Sequence, residues 1–262
     1  MRLSAKAIFD KKKKREKIVA LTAYDYPTAR ILDEAGLDII LVGDSLGMVL
    51  LGYDTTLPVT MEEMLHHTKA VSRAVRRALV VADMPYRSYT SPRKAVANAQ
   101  CFVKVGADAV KLEGGRRVQK QVEAILAARI PVMGHVGMTP QSVKQTGGYR
   151  VQRRVPQQAE AILKDAQLLD RLGVFSIVIE CIPRDLGTRI TGNVQCPTLG
   201  IGAGAGTDGQ ILVLHDMLGF SASVHPRFVR AYAKLEPEIR KAAKNYYRDV
   251  KTGRYPSEAE SY

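Results

Sequence analysis

The chain has 262 residues, 46% of them apolar, with three cysteines and a formal net charge of +13. That length and apolar content suit one large α/β domain and exclude a low-complexity chain, while the sparse Cys101, Cys181 and Cys196, with no C-x-x-C spacing, exclude a disulfide framework. No apolar run approaches the ~18–20 residues of a membrane helix, and the basic start lacks the apolar region of a signal peptide, so a cytoplasmic protein that engages no membrane is expected.

The chain opens with a short amphipathic helix over Ser4–Glu16 that ends in KKKKREK, Lys11 to Lys17. This run and the doublets Arg76-Arg77, Arg116-Arg117 and Arg153-Arg154 hold much of the positive excess, and the lysine run reads as a solvated helix end. Short apolar runs follow at Ile18–Thr22, Asp38–Gly43, Leu79–Asp83, Ala109–Glu113, Pro131–His135, Ser176–Glu180, Pro197–Ile201 and Gln210–His215. Most are apolar at consecutive positions, the pattern of parallel strands buried on both faces. Helical patterns lie between them. Thr60-Met61-Glu62-Glu63 is a capping box, and Ser91-Pro92 is an N-cap with proline at the first helical position. Pro226 onward is long enough for one long helix or a broken pair. Eight strands alternating with helices predict a (β/α)8 TIM barrel over residues 1–262 as one domain, with a short N-terminal helix and a long helical C-terminal segment. The glycine-rich link Gly202–Gly209 is too short for a regular helix. The overlapping G-I-G-A-G-A-G, Gly200 to Gly206, lacks the context of a dinucleotide fingerprint or a P-loop, and reads as a tight turn or a close backbone approach to a ligand.

In such a barrel, function collects at the carboxyl ends of the strands. Five consecutive runs end on ionisable residues: Asp44, then Asp83, then Lys111 with Glu113, then His135, then Glu180. A single acid after a strand is commonly a helix cap, but five strands in succession point to one site. Asp44, Asp83 and Glu113 suggest a hard divalent cation, and oxygen ligands without cysteine favour Mg²⁺ over zinc. Lys111 beside them suits an anionic group. Together they suit a 2-oxo acid, with Glu180 as the base that removes a proton next to the carbonyl and His135 as a hydrogen-bonding partner. His215 and Asp216 end the eighth run and are candidates for the same rim, as are Tyr24 and Asp25 after the first. His66-His67 reads as a packing pair, and Cys181 as a packing residue.

The segments T-A-Y-D-Y (22–26), L-V-G-D-S-L-G-M (41–48), T-L-P-V-T (56–60), A-D-M-P (82–85), V-K-L-E-G-G (110–115), G-H-V-G-M-T-P-Q-S (134–142), G-G-Y-R-V-Q (147–152), L-G-I-G-A-G (199–204) and D-G-Q-I-L-V-L-H-D (208–216) together resemble the ketopantoate hydroxymethyltransferase family. The chain departs from that family's usual residues at Tyr53, Arg153 and Gly187. The resemblance implies a barrel enzyme that uses one Mg²⁺ per subunit. It would transfer a hydroxymethyl group from 5,10-methylenetetrahydrofolate, a co-substrate, to 3-methyl-2-oxobutanoate through a Mg-stabilised enolate, forming 2-dehydropantoate for pantothenate. It implies Asp44, Asp83 and Glu113 at the metal, Asp44, Ser45, Asp83 and Lys111 at the oxo acid, Glu180 as proton acceptor and His135 in the active site. It also implies a homo-oligomer, a decamer. The competing reading is a Mg-dependent 2-oxo-acid lyase or mutase of the related enolate-forming barrels, although the K-K-C-G-H type loop of such lyases is absent. A nucleic-acid partner is not expected, since aromatics are few and tryptophan is absent.

Overall fold

The computed structural model describes residues 1–138, 141, 156–220 and 226–262. The motif residues 139–140 and 142, the whole of G-G-Y-R-V-Q and the Arg153-Arg154 doublet lie outside the described residues. Eight parallel strands close a barrel in sequence order. They are β1 (Ile18–Thr22), β2 (Ile39–Val42), β3 (Leu79–Asp83), β4 (Ala109–Lys111), β5 (Val132–Gly137), β6 (Ser176–Glu180), β7 (Thr198–Ile201) and β8 (Gly209–Leu212). The described helices are α1 (Ala5–Lys13), α2 (Tyr26–Glu34), α3 (Leu46–Val49), α4 (Met61–Ala74), α5 (Pro92–Lys104), α6 (Gln119–Ala127), α7 (Pro156–Leu172), α8 (Arg184–Gly192), α9 (Leu214–Met217) and α10 (Leu235–Lys251). The expected (β/α)8 barrel is therefore present.

Its core follows from the apolar runs. Ile18, Ile39, Leu79, Met133, Phe175 and Leu199 join in one buried cluster with Ile8 of α1, so the N-terminal helix packs into the barrel's apolar interior. Thr60 and Glu63 form the expected reciprocal cap on α4, and Ser91 caps α5. Between β7 and β8 the chain makes a tight turn, with Gly202 and Gly204 at φ of 65° and 83°. Gly187 matches a close approach, since a Cβ there would lie 2.4 Å from the Ala203 carbonyl oxygen.

The amino-terminal ends of the strands are held by aspartates. Asp38 accepts from Val19 N–H, Asp108 from Val80 N–H and Asp208 from Thr198 N–H, at 2.8 to 3.0 Å. The lysine run does more than end a solvated helix, because its side chains close this same rim. Lys11 Nζ lies 3.2 Å from Asp38, Lys12 Nζ 3.1 Å from Asp208, and Lys17 donates to the Thr207 carbonyl at 2.6 Å. Asp33 is the most heavily used of these acids, accepting from the backbone N–H groups of Arg76, Arg77 and Ala78. Burial alone would raise its pKa, but these three donors outweigh burial and hold it below the usual carboxylate value. Its stabilisation is thus complete above the ordinary aspartate pKa of about 3.9 and is lost as pH falls through the lowered folded value. Asp33→Ala is expected to cost about 2–4 kcal/mol in urea unfolding at pH 7, because three backbone N–H groups, that of Ala78 buried, lose their acceptor. The difference from wild type should shrink in strong acid, and a pH-independent cost would rule out the charge as its source.

Three predicted runs differ from the observed strands by more than one residue at an end. β4 ends at Lys111, so Glu113 stands on the following loop, where Gly114 donates to the His135 carbonyl. β5 continues to Gly137, which places His135 inside the strand rather than at its end. β8 stops at Leu212, and His215 lies on α9 with its ring stacked on Phe220 at 5.6 Å, not at the end of a barrel strand. The chain forms two compact units, Met1–Val213 and Leu214–Tyr262. In the second unit, α10 has glutamates in its first turn and Arg248 and Lys251 in its last, matching the helix dipole. No residue of α10 is buried, although Ile239, Tyr246 and Val250 are spaced along it.

Candidate active site

Strand register assembles the site. β3 and β4 pair with Asp83 beside Lys111, and β5 and β6 pair with Gly137 beside Glu180. Neighbours in register on parallel strands face the same side, so Asp83 and Lys111 meet in an ion pair of 2.6 Å. Both are almost wholly buried. Asp44 follows β2 across Gly43, where a Cβ would lie 2.8 Å from Ser45 Oγ. Glycine there lets the chain turn tightly enough to present Asp44 and Ser45 together. Ser45 Oγ is 2.9 Å from Tyr24 Oη. Tyr24 is in turn tied to α4, since His67 Nδ1 lies 2.7 Å from the Tyr24 carbonyl oxygen. Asp25, by contrast, is spent on capping α2 through Thr28 N–H.

Asp44, Ser45, Asp83, Lys111, Glu113, His135 and Glu180 all line one cavity of about 110 Å³. The seven residues assigned to the metal, the oxo acid and the proton transfer are thereby brought to one place, while the rim candidates Tyr24 and Asp25 do not line the cavity. The electrostatics are those of crowded acids around one cation. Burial, then the charge of Asp83, pushes the Asp44 carboxyl up to about 7 against the opposing pull of Lys111 and Gln141. Burial likewise holds Glu113 well above the usual carboxylate range, with Asp44 and Asp83 adding to the rise. Burial works to lower the Lys111 pKa, but the surrounding acids overcome it and raise it, so Lys111 is charged at neutral pH. Burial, then Lys111, lowers His135, and its ring is neutral at pH 7.

His135 Nε2 stands 3.2 Å from Glu180 Oε2, and Nδ1 stands 3.7 Å from Glu113 Oε1. Neither ring nitrogen is aligned for a hydrogen bond despite the short first distance. A neutral imidazole thus bridges two carboxylates by proximity. After Glu180, Cys181 takes φ of 51°, a conformation unusual for a residue with a Cβ and often found beside functional groups. Burial, then the Glu180 charge, pushes its thiol up to about 12. It is inert packing, as its sequence context suggests.

Sequence reasoning assigned no role to Gln141. This buried residue donates from Nε2 to Asp44 Oδ2 at 2.9 Å and to the Met84 carbonyl at 3.0 Å, and from its backbone N–H to Glu113 Oε2 at 3.0 Å. Tyr89 Oη donates to Gln141 Oε1 at 2.5 Å, which fixes the orientation of the amide. A neutral residue outside any strand leaves no pattern that would have marked it.

The donor set suits a hard divalent cation. It is carboxylate-rich and free of cysteine, its acids repel one another, and Asp83 Oδ1 is buried with no hydrogen-bond partner. Among the described residues, no three His, Cys, Asp or Glu side chains already surround one point. Instead, Lys111 donates to Asp83, and Gln141 donates to Asp44 and Glu113.

The fold resembles solved barrels of low sequence identity. Phosphonopyruvate hydrolase in complex with oxalate and Mg²⁺ matches with a TM-score of 0.66 at 13% identity, over 98% of this chain and 93% of that one. 2,3-Dimethylmalate lyase, a PEP mutase/isocitrate lyase superfamily member, matches with a TM-score of 0.61 at 17% identity, over 99% and 92%. At such identities the likeness is one of fold. Sequence relatives are far more similar. The 3-methyl-2-oxobutanoate hydroxymethyltransferase of Syntrophus aciditrophicus (strain SB) is 51% identical, over 100% of this chain and 97% of that protein. The enzyme of the same name from Syntrophomonas wolfei subsp. wolfei (strain DSM 2245B / Goettingen) is 53% identical, over 98% and 94%. The family profile for ketopantoate hydroxymethyltransferase matches residues 2–258. With a full-length family match and relatives at this identity, the chain belongs to the ketopantoate hydroxymethyltransferase family.

Proposed function

We propose that this enzyme transfers a hydroxymethyl group from 5,10-methylenetetrahydrofolate to 3-methyl-2-oxobutanoate, giving 2-dehydropantoate. The observation that carries the reading is the single cavity in which Asp44, Asp83, Lys111, Glu113 and Glu180 converge. A Mg²⁺ ion held by Asp44, Asp83 and Glu113 supplies Lewis acidity toward the keto oxygen when bound. Lys111, charged and buried, attracts the oxo acid's anionic end, and Ser45 Oγ donates to its carboxylate. That orientation leaves C3 toward Glu180, the least buried of the cavity's acids, whose side chain is 15% exposed. Glu180 removes the C3 proton, and the neutral ring of His135 stands 3.2 Å from the carboxylate that receives it. The carbon so activated forms a bond to the carrier's methylene carbon as that carbon's bond to one carrier nitrogen breaks, and the proton held by Glu180 passes to that nitrogen. Water then replaces the second nitrogen at the methylene carbon, giving the hydroxyl and one proton to the departing nitrogen, and tetrahydrofolate leaves.

The test is an assay of wild-type protein with 3-methyl-2-oxobutanoate and carrier labelled with ¹³C at the methylene carbon. The label should enter 2-dehydropantoate only when carrier is present, and chelation of divalent metal should abolish transfer. Cleavage of a 2-oxo acid without the carrier, and no labelled product, would favour a lyase or mutase.

A further inference from the structure

The cavity at the strand ends is small. Its volume of about 110 Å³ suits a short oxo acid and falls well below the ~300–1,000 Å³ of pockets for larger organic ligands. A one-carbon carrier with fused rings and an acidic tail needs its own space, and that space must open on the same carboxylates.

A neighbouring cleft of about 330 Å³ meets this requirement: it shares Glu113 with the first cavity and is also lined by Gln141, which is bonded to Asp44 and Glu113. Its other walls come from the loops after the same two strands: Tyr86, Arg87 and Tyr89 after Asp83, and Arg117 after Glu113. We propose that this cleft binds the carrier, a flat reduced heterocycle with a carboxylate tail; the assignment rests on the transfer reaction proposed above. The tyrosine rings offer flat apolar faces to the heterocycle, and the guanidinium groups of Arg87 and Arg117 match carboxylates in charge and geometry.

The cleft is also built in advance. Asn98 of α5 donates to the Ser88 carbonyl at 2.6 Å, Lys94 to the Arg87 carbonyl at 2.9 Å, and Gln121 of α6 to the Tyr89 carbonyl at 3.2 Å. These bonds fix the 86–90 loop from two helices. Arg87 holds φ of 64°, an unfavourable conformation for a side-chain-bearing residue, with its guanidinium 5.2 Å from the Tyr86 ring centre. Tyr89 reaches through Gln141 to Asp44, so the wall of the cleft is bonded directly to the oxo-acid cavity.

The test titrates tetrahydrofolate and its glutamate-free analogue, tetrahydropteroate, into wild type, Tyr86→Ala and the double variant Arg87→Ala/Arg117→Ala by calorimetry. Both arginines are exposed, so the double variant should keep the fold. Tetrahydrofolate Kd should rise about tenfold or more in each variant, while KM for the oxo acid stays within twofold. Wild type should prefer tetrahydrofolate over tetrahydropteroate, and the double variant should lose that preference. Unchanged Kd values in both variants, with wild-type transfer intact, would overturn the cleft alone. A wild type that neither binds tetrahydrofolate nor transfers label would overturn the reaction and the cleft with it.

Discussion

Replacing Glu180 with glutamine is expected to lower the rate of hydroxymethyl transfer by about 10²- to 10⁴-fold, the usual contribution of a positioned general base. Glutamine keeps the shape and hydrogen-bonding reach of the side chain, so the end of β6 should be undisturbed. The loss should fall on kcat, with KM for the oxo acid changed little, because Lys111 and the acids of β2 to β4 provide the binding. An equal loss through KM would instead make Glu180 a binding group. His135→Asn should cost less than Glu180→Gln, since the neutral ring lies 3.2 Å beside the base rather than replacing it. If His135→Asn proved the more severe of the two, the roles assigned to this pair would be reversed.

Replacing Lys111 with methionine should be the most damaging change to stability. It removes the cation from a buried 2.6 Å pair with Asp83 and from the field of Asp44 and Glu113. Breaking a buried pair from one side costs about 3–5 kcal/mol, because the remaining charge stays buried and uncompensated. Activity should fall by about 10²- to 10³-fold as well, the range for losing one preorganised electrostatic contact. The stability loss should shrink as pH is lowered from 8 to 5. Asp44 and Glu113 are already held above the usual carboxylate range and take up protons more readily once Lys111 is gone. Urea unfolding across that range reads the effect directly. A loss under 1 kcal/mol at pH 8 would show that Lys111 is not what holds these acids together.

The barrel was legible in the sequence because strands buried on both faces leave continuous apolar runs, and each functional run stops on an ionisable residue. Asp44, Asp83, Lys111, Glu113, His135 and Glu180 could be gathered on one rim by that rule alone, and Ser45 by family resemblance. Where the rule failed, the apolar run outlasted the strand. Ile211–Leu214 reads as one run, yet pairing with β1 ends at Leu212, and His215 belongs to the helix α9 rather than to a strand. Basic residues were misread for the opposite reason. Lys11 and Lys12 look solvated in a charge run, but their partners Asp38 and Asp208 are 27 and 196 positions away, beyond the reach of local pattern. Gln141 carries no charge and follows no periodicity, so only its hydrogen bonds to Asp44, Glu113 and Met84 reveal its place.

The central claim is that this cavity activates C3 of a short 2-oxo acid before any carbon is transferred. The most direct measurement is proton NMR of 3-methyl-2-oxobutanoate in D₂O with wild-type enzyme and Mg²⁺ and without the folate carrier. The account predicts steady loss of the C3 proton signal, slowed by about 10²- to 10⁴-fold in Glu180→Gln. Exchange at the same rate in both proteins, or no exchange in a wild type that transfers label, would contradict it.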